Sequence, residues 1–156
     1  MSGEKYSELA VTALVSHFSN YFTTMLRQVE TEQGLNPNSI PDPVAFLKFR
    51  AERDNRTPIV AVYDEGFDPV SQRQDVYVVD CTVALQMAGE PDLEQVAIRL
   101  RRYVSAALFT IKTDPSLGGA VIGAVLGHGA TMGHYGDSSA TKLVYLIPIQ
   151  VRVYCP

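Results

Sequence analysis

The chain has 156 residues, a length that suits one compact domain, and a single domain over residues 1–156 is expected. With 46% hydrophobic and 19% charged residues it can build a core, which excludes a wholly disordered or collagen-like chain. A formal net charge of -4 gives no general attraction to phosphate backbones or anionic membranes, because both depend on counterion release by basic residues.

From Tyr6 to Gln33, the residues Val11, Leu14, Val15, Phe18, Phe22, Met25, Leu26 and Val29 recur at three-and-four spacing. Thr12, Ser16, Asn20, Thr23, Arg27 and Glu30 fall on the other side, so the pattern predicts a long amphipathic helix. Gly34 suits the left-handed position just past its end, and Pro37, Pro41 and Pro43 prevent its renewal. An irregular linker with a short turn around Phe46 is expected next. Ile59 to Tyr63 predicts a strand, and Asp75 to Met87 a second one with Tyr77, Val79, Cys81, Val83, Leu85 and Met87 on one face. Their connection, Asp64 to Gln74, is expected to be a projecting acidic loop.

Gly89-Glu90-Pro91 breaks the second strand, and Asp92 with Gln95 forms a capping box for a helix reaching about Thr113. Its core stripe is Leu93, Val96, Leu100, Val104, Ala107, Leu108 and Ile111. Ile98 and Phe109 fall nearly opposite, which implies a second partner for this helix. Asp114-Pro115-Ser116-Leu117-Gly118-Gly119 is a stop and a turn, after which Ala120 to Leu126 and Lys142 to Cys155 predict strands. Leu143, Tyr145, Ile147, Ile149, Val151 and Val153 share one face of the last strand, while Pro148 on the other implies a bulge or an edge position. The order α-β-β-α-β-β predicts an α+β fold: a mostly antiparallel sheet of about four strands with both helices packed on it.

Chemistry-bearing patterns are sparse. Cys81 and Cys155 belong to no metal or redox spacing and are read as reduced, buried and inert. The start of the chain is amphipathic rather than a secretion signal, and Leu117 to Leu126 is too short to span a bilayer core of ~30 Å, so folding in the cytoplasm is expected. The glycines from Gly118 to Gly127 lack the Lys-Ser/Thr ending of a phosphate loop and mark a turn with close backbone approach. His128, His134 and Asp137 could converge on zinc or act as acid and base, but their glycine-rich spacing offers no rigid element, so an interaction loop from His128 to Thr141 is expected. His17 is read as a boundary residue beside the first helix's apolar stripe. Arg99, Arg101, Arg102 and Lys112 make the second helix basic against Glu94 alone, and the Asp64 to Asp75 segment is acidic. Opposite-sign surfaces on one chain can build a head-to-tail ring.

The long first helix, the strand Val76 to Leu85, the helix carrying Arg101-Arg102-Tyr103-Val104-Ser105-Ala106-Ala107-Leu108, the Asp114-to-Gly119 turn and the closing Gln150-Val151-Arg152-Val153-Tyr154 resemble tail terminator (tail completion) proteins of long-tailed bacteriophages, over most of the chain. The resemblance implies an α+β fold, a hexameric ring that caps the finished tail tube, and a second ring face offered to head-completion proteins of the neck. It also implies DNA passing through the lumen without sequence-specific binding, a place in the virion, no enzymatic activity, no cofactor and no membrane. From the charge and periodicity arguments, the subunit or partner interfaces are expected at Asp64, Glu65, Phe67, Asp68, Ile98, Arg99, Arg102, Phe109, His128, His134, Tyr135 and Asp137. The alternatives are another head–tail joining protein of the neck, or a small cytoplasmic enzyme or metal-binding protein using the His128 to Asp137 loop.

Overall fold

Helix α1 spans Gly3–Glu32 in the computed structural model, which describes residues 3–51, 54, 56–70, 73–88, 93–127, 129–135 and 142–154. Its apolar stripe is buried as the periodicity requires, with Ala10, Leu14, Phe18, Phe22 and Leu26 fully enclosed. Gly34 ends it at φ 66°, where the Leu35 N–H donates to the Glu30 carbonyl (2.8 Å) and the Gly34 N–H to Thr31 (3.2 Å). This pair of bonds satisfies two carbonyls that the helix end would leave orphaned.

Two residues expected on the polar side of α1 behave otherwise. Glu30 is buried, and its carboxylate accepts from the Asn38 N–H (3.0 Å), the Ile40 N–H (2.8 Å) and the Arg27 guanidinium (3.0 Å). Arg27 also donates to the Ile40 carbonyl and to Asp42, both within 2.8 Å. The segment after α1 is thereby strapped back onto the helix, since a buried carboxylate persists only when its lone pairs are met.

The remaining elements are β1 (Ala45–Leu47), β2 (Ile59–Val70), β3 (Arg73–Ala88), α2 (Leu93–Thr113), β4 (Gly123–Leu126), β5 (Thr131–Tyr135) and β6 (Lys142–Tyr154). One sheet of six strands forms, in the order β1-β2-β3-β6-β4, with β5 also beside β6. The expectation of about four strands is therefore corrected. β1 is only three residues long, too short for alternation to show, and it pairs in parallel with Ile59–Ala61 where a linker was expected. β5 lies within the glycine-rich stretch expected to be loop. All other pairings are antiparallel.

The acidic Asp64 to Gln74 connection, expected as a loop, is strand at every described residue. β2 runs on to Val70 and β3 starts at Arg73, with an irregularity between Asp64 and Gly66 that lets two residues of β2 face one of β3. Pro148 sits at a local edge of β6, where neither β4 nor β5 pairs with it. Its carbonyl accepts from the Gly127 N–H (2.8 Å), so its missing N–H points into the gap between β4 and β5, and the ladder to β3 loses nothing.

Both helices pack on one face of the sheet, over Val79, Cys81, Val83, Leu85, Ile147, Ile149, Val151 and Val153. On α2 the enclosed residues are Val96, Leu100, Tyr103, Ala106, Ala107, Thr110 and Ile111. Tyr103, absent from the expected stripe, is the largest buried side chain, and its hydroxyl donates to the Pro41 carbonyl. Leu108 is only half-buried, whereas Phe109 packs against the core.

The opposite face is divided. Ile59, Ala61, Tyr63, Ala84 and Val144 form a second cluster with Ala51, Ala45 and Leu47 from the segment that crosses it. Two polar residues there, Gln86 and Lys142, are buried, and both donate to the Asp54 carbonyl. The Tyr63 hydroxyl is buried without a hydrogen-bond partner among the described residues. Tyr63→Phe removes that unpaired group while keeping the ring, so it should raise stability by about 1 kcal/mol, read as a higher denaturation midpoint at unchanged m. A lower midpoint would mean that the hydroxyl is satisfied in solution.

Candidate interaction surfaces

The end of the β2–β3 hairpin is held by stacked aromatic rings. Tyr6 of α1 stacks on Tyr77 with centroids 3.9 Å apart, and Phe67 closes on both at 5.8 and 5.9 Å. Phe67, an expected interface residue, thus faces the helix layer and is 39% exposed, so much of its surface is already used within the chain. Asp64, Glu65 and Asp68 are exposed on β2, as expected of interface residues, but on a strand rather than a loop. Strand alternation turns Asp68, opposite Val78, and Asp80, opposite Gly66, away from the helices. Glu65 joins them by accepting from the Thr82 hydroxyl at 3.1 Å.

Glu65, Asp68 and Asp80 border the part of the outer sheet face that no other described segment covers. Gln150, Arg152 and Tyr154 of β6 and Val125 of β4 are exposed there, beside a groove of ≈ 320 Å³ lined by Glu65, Asp80, Thr82, Pro148 and Gln150. Cys81 lies under the same region and is buried. Burial above all, with Asp64, Asp80 and Glu65 adding to it, pushes its thiol up to about 12, so it stays protonated and unreactive at neutral pH. Cys155 lies outside the described residues.

On the far side of the molecule, α2 turns Ile98, Arg101, Arg102, Ser105, Leu108 and Lys112 away from the sheet at helical spacing. Arg101 and Lys112 are exposed, and Ile98 and Leu108 are half-buried. Arg102 donates to the Gln33 side chain at 3.1 Å, which ties α2 to the end of α1. Arg99 faces a hollow with Pro41, Pro58 and Met87 at the other end of the sheet from the hairpin tip. Ile98 keeps the expected outward placement. Phe109 does not: it is partly buried and packs against the core.

His128 and Asp137 lie outside the described residues, and His134 and Tyr135 are described only as backbone of β5, paired with Leu143 and Lys142. Among the described residues no group of three or more His, Cys, Asp or Glu is arranged to hold a metal ion. His17, expected at a boundary, is buried: its Nε2 donates to the Thr110 carbonyl at 2.8 Å and its ring meets Tyr21 at 4.9 Å.

The turn after α2 is built by Asp114, whose carboxylate accepts from the Ser116 hydroxyl (2.6 Å), the Ser116 N–H and the Gly118 N–H. The Ser116 hydroxyl contributes most to holding that carboxyl below its ordinary value. Leu117, Gly118 and Gly119 all have positive φ, and Leu117 buries its side chain to anchor the turn. The Pro115 carbonyl then accepts from the Ala124 N–H at 2.7 Å, which closes part of the open edge of β4.

Among the described residues expected at interfaces, those that can still meet a partner are Asp64, Glu65 and Asp68 on the hairpin and Ile98 with the basic residues on α2. Arg101 and Lys112 carry that basic surface at least as strongly as Arg99 and Arg102. The signal for them in the sequence is the i, i+3/i+4 spacing from Ile98. No described helix is long and apolar enough to cross a membrane. Comparison with protein-family models and with curated proteins finds no match for this chain.

Proposed function

We propose that this chain is a structural protein of a long-tailed bacteriophage virion, a tail terminator whose copies, six in number, form a ring. The ring caps the tail tube, joins it to the head-completion proteins of the neck, and lets DNA through its lumen without sequence-specific contacts. The observation that carries this reading is the pair of unpartnered surfaces of opposite charge on opposite faces of one α+β layer: acids on the bare sheet face, bases on the outer side of α2. Surfaces so placed favour association head to tail, which closes into a ring when the rotation per copy divides a full turn. The resemblance of the element order and of the Leu117-Gly118-Gly119 turn to tail terminators supports the same reading. An acidic chain also suits a lumen through which DNA must slide, since acidic walls release no phosphate counterions.

A reconstruction of the neck of phage particles, with this chain traced between tube and head, tests the proposal directly. Particles lacking the chain should carry tails of uneven length or tails unjoined to heads. Tails of normal length and full head attachment in its absence would sink the reading.

A further inference from the structure

We infer that the interface between neighbouring copies seats the outer side of α2 of one copy on the bare acidic half of the sheet of the next. This deepens the ring reading and rests on it.

The argument begins with charge. Of the three acids of β2, a strand with no base, Glu65 and Asp68 lie on the bare face, where Asp80 of β3 extends them across the sheet, while Asp64, opposite Cys81, lies on the helix side. Within α2, Arg99, Arg101, Arg102 and Lys112 stand against Glu94 alone. Asp68, Asp80, Arg101 and Lys112 have no ion-pair partner among the described residues. Arg152 is the counterexample on the acidic face, and it leaves that face acidic on balance.

Shape agrees with charge. Ile98 and Leu108 give the α2 surface an apolar seam between its bases, while Val125 and Tyr154, 56% and 52% exposed, give the bare sheet half an apolar floor beside its acids. An apolar centre with charged surroundings is the usual anatomy of a specific protein interface. The other half of that sheet face is already covered by the segment around Ala51, whereas no described segment lies over the bare half.

Geometry then selects the occupant. The helices cover one face of the sheet and Glu65, Asp68 and Asp80 lie on the other, so this acidic surface and the basic surface of α2 point in opposite directions and cannot meet within one molecule. A second copy supplies the complement of each, and the same contact repeats from copy to copy.

The test is a charge exchange followed by native mass spectrometry and light scattering, with and without tail tubes. One variant carries R101E and K112E, the other E65K and D68K. All four positions are exposed, so both variants should keep the wild-type circular dichroism, and melting should change only by the loss of the Glu65–Thr82 hydrogen bond in E65K/D68K. Each alone should self-associate about a hundredfold more weakly than the wild type, because like charges then face each other. Mixed in equal amounts, the two should assemble again as alternating copies, since every junction regains opposite charges.

Assembly of either variant alone as readily as the wild type, or failure of the folded mixture to recover, would overturn this interface while leaving a wild-type ring intact. Loss of nucleic-acid retention by the R101E/K112E variant with assembly unchanged would also overturn it and assign the basic side of α2 to DNA. A wild-type chain that never self-associates, even on tail tubes, would defeat the ring reading and this interface together.

Discussion

Phe22→Ala should lower the stability of the fold by about 3–5 kcal/mol, read as a shift of the denaturant midpoint. Phe22 is fully enclosed, and its ring meets three others: Phe18 at 5.7 Å, Tyr103 edge-on at 5.1 Å and Phe46 edge-on at 6.3 Å. These come from α1, α2 and β1, so one side chain joins both helices to the edge of the sheet. Truncation opens a cavity where three elements meet, and none can collapse into it without leaving its other contacts. Val125→Ala, at a side chain 56% exposed, is the control and should move stability by no more than about 0.5 kcal/mol. If the two variants had equal midpoints, the three-ring junction would not be holding the helices to the sheet.

Phe22 was also legible in the sequence, as were the other buried residues of α1 and the core-facing rows of β3 and β6. Each belongs to a long element whose single period repeats enough times to stand out against chance. Legibility failed in three physical situations. β1 is too short to display a period, and its partner Ile59–Ala61 was readable only as a strand, not as half of a parallel pair. The distal hairpin carries Asp64, Glu65, Gly66, Asp68 and Pro69, residue types that are depleted in strands. It is strand nevertheless, because β3 continues its ladder and Phe67 packs on Tyr6 and Tyr77. Arg27 and Glu30 look like solvated helix charges, and their burial depends on Asn38, Ile40 and Asp42, which no local pattern connects to the helix.

The residues expected at interfaces divide along the same line. Charge composition marked the acidic and basic segments correctly as segments, since charge survives any local conformation. It did not say that Asp68 and Asp80 share a face, which needs the β2–β3 register. Phe109 was misplaced because helical spacing alone does not say how wide a stripe the core covers, and here the core reaches Phe109.

The strap behind α1 makes a second large effect, in acid. Burial of Glu30 acts to raise its carboxyl, and is outweighed by the Ile40 and Asn38 N–H groups and the Arg27 charge, so the group sits below its ordinary value of 4.5. Asp54 is held further down, to about 2 against an ordinary 3.8, chiefly by the Arg56 side chain and then by the Arg56 N–H. In both cases the unfolded chain binds a proton more readily than the folded one. Stability from these groups is therefore fully present above their ordinary values and is lost as pH falls through the folded ones. For Glu30 the loss begins near pH 4.5, and for Asp54 it runs from about 3.8 down to about 2.

Urea midpoints measured between pH 7 and pH 2 should accordingly be flat down to about 5 and fall steeply below it. Glu30→Gln should be less stable than the parent at pH 7, because a neutral amide offers a single acceptor oxygen where three donors converge and leaves Arg27 without its buried counter-charge. Its profile should also be flatter between pH 4.5 and 3, since the group that titrates is gone. Hydrogen exchange at the Asn38 and Ile40 amides should quicken in the variant at neutral pH and in the parent only in acid. Parallel profiles for parent and variant, with both amides equally protected at pH 3, would show that the strap is held by something other than the Glu30 carboxylate.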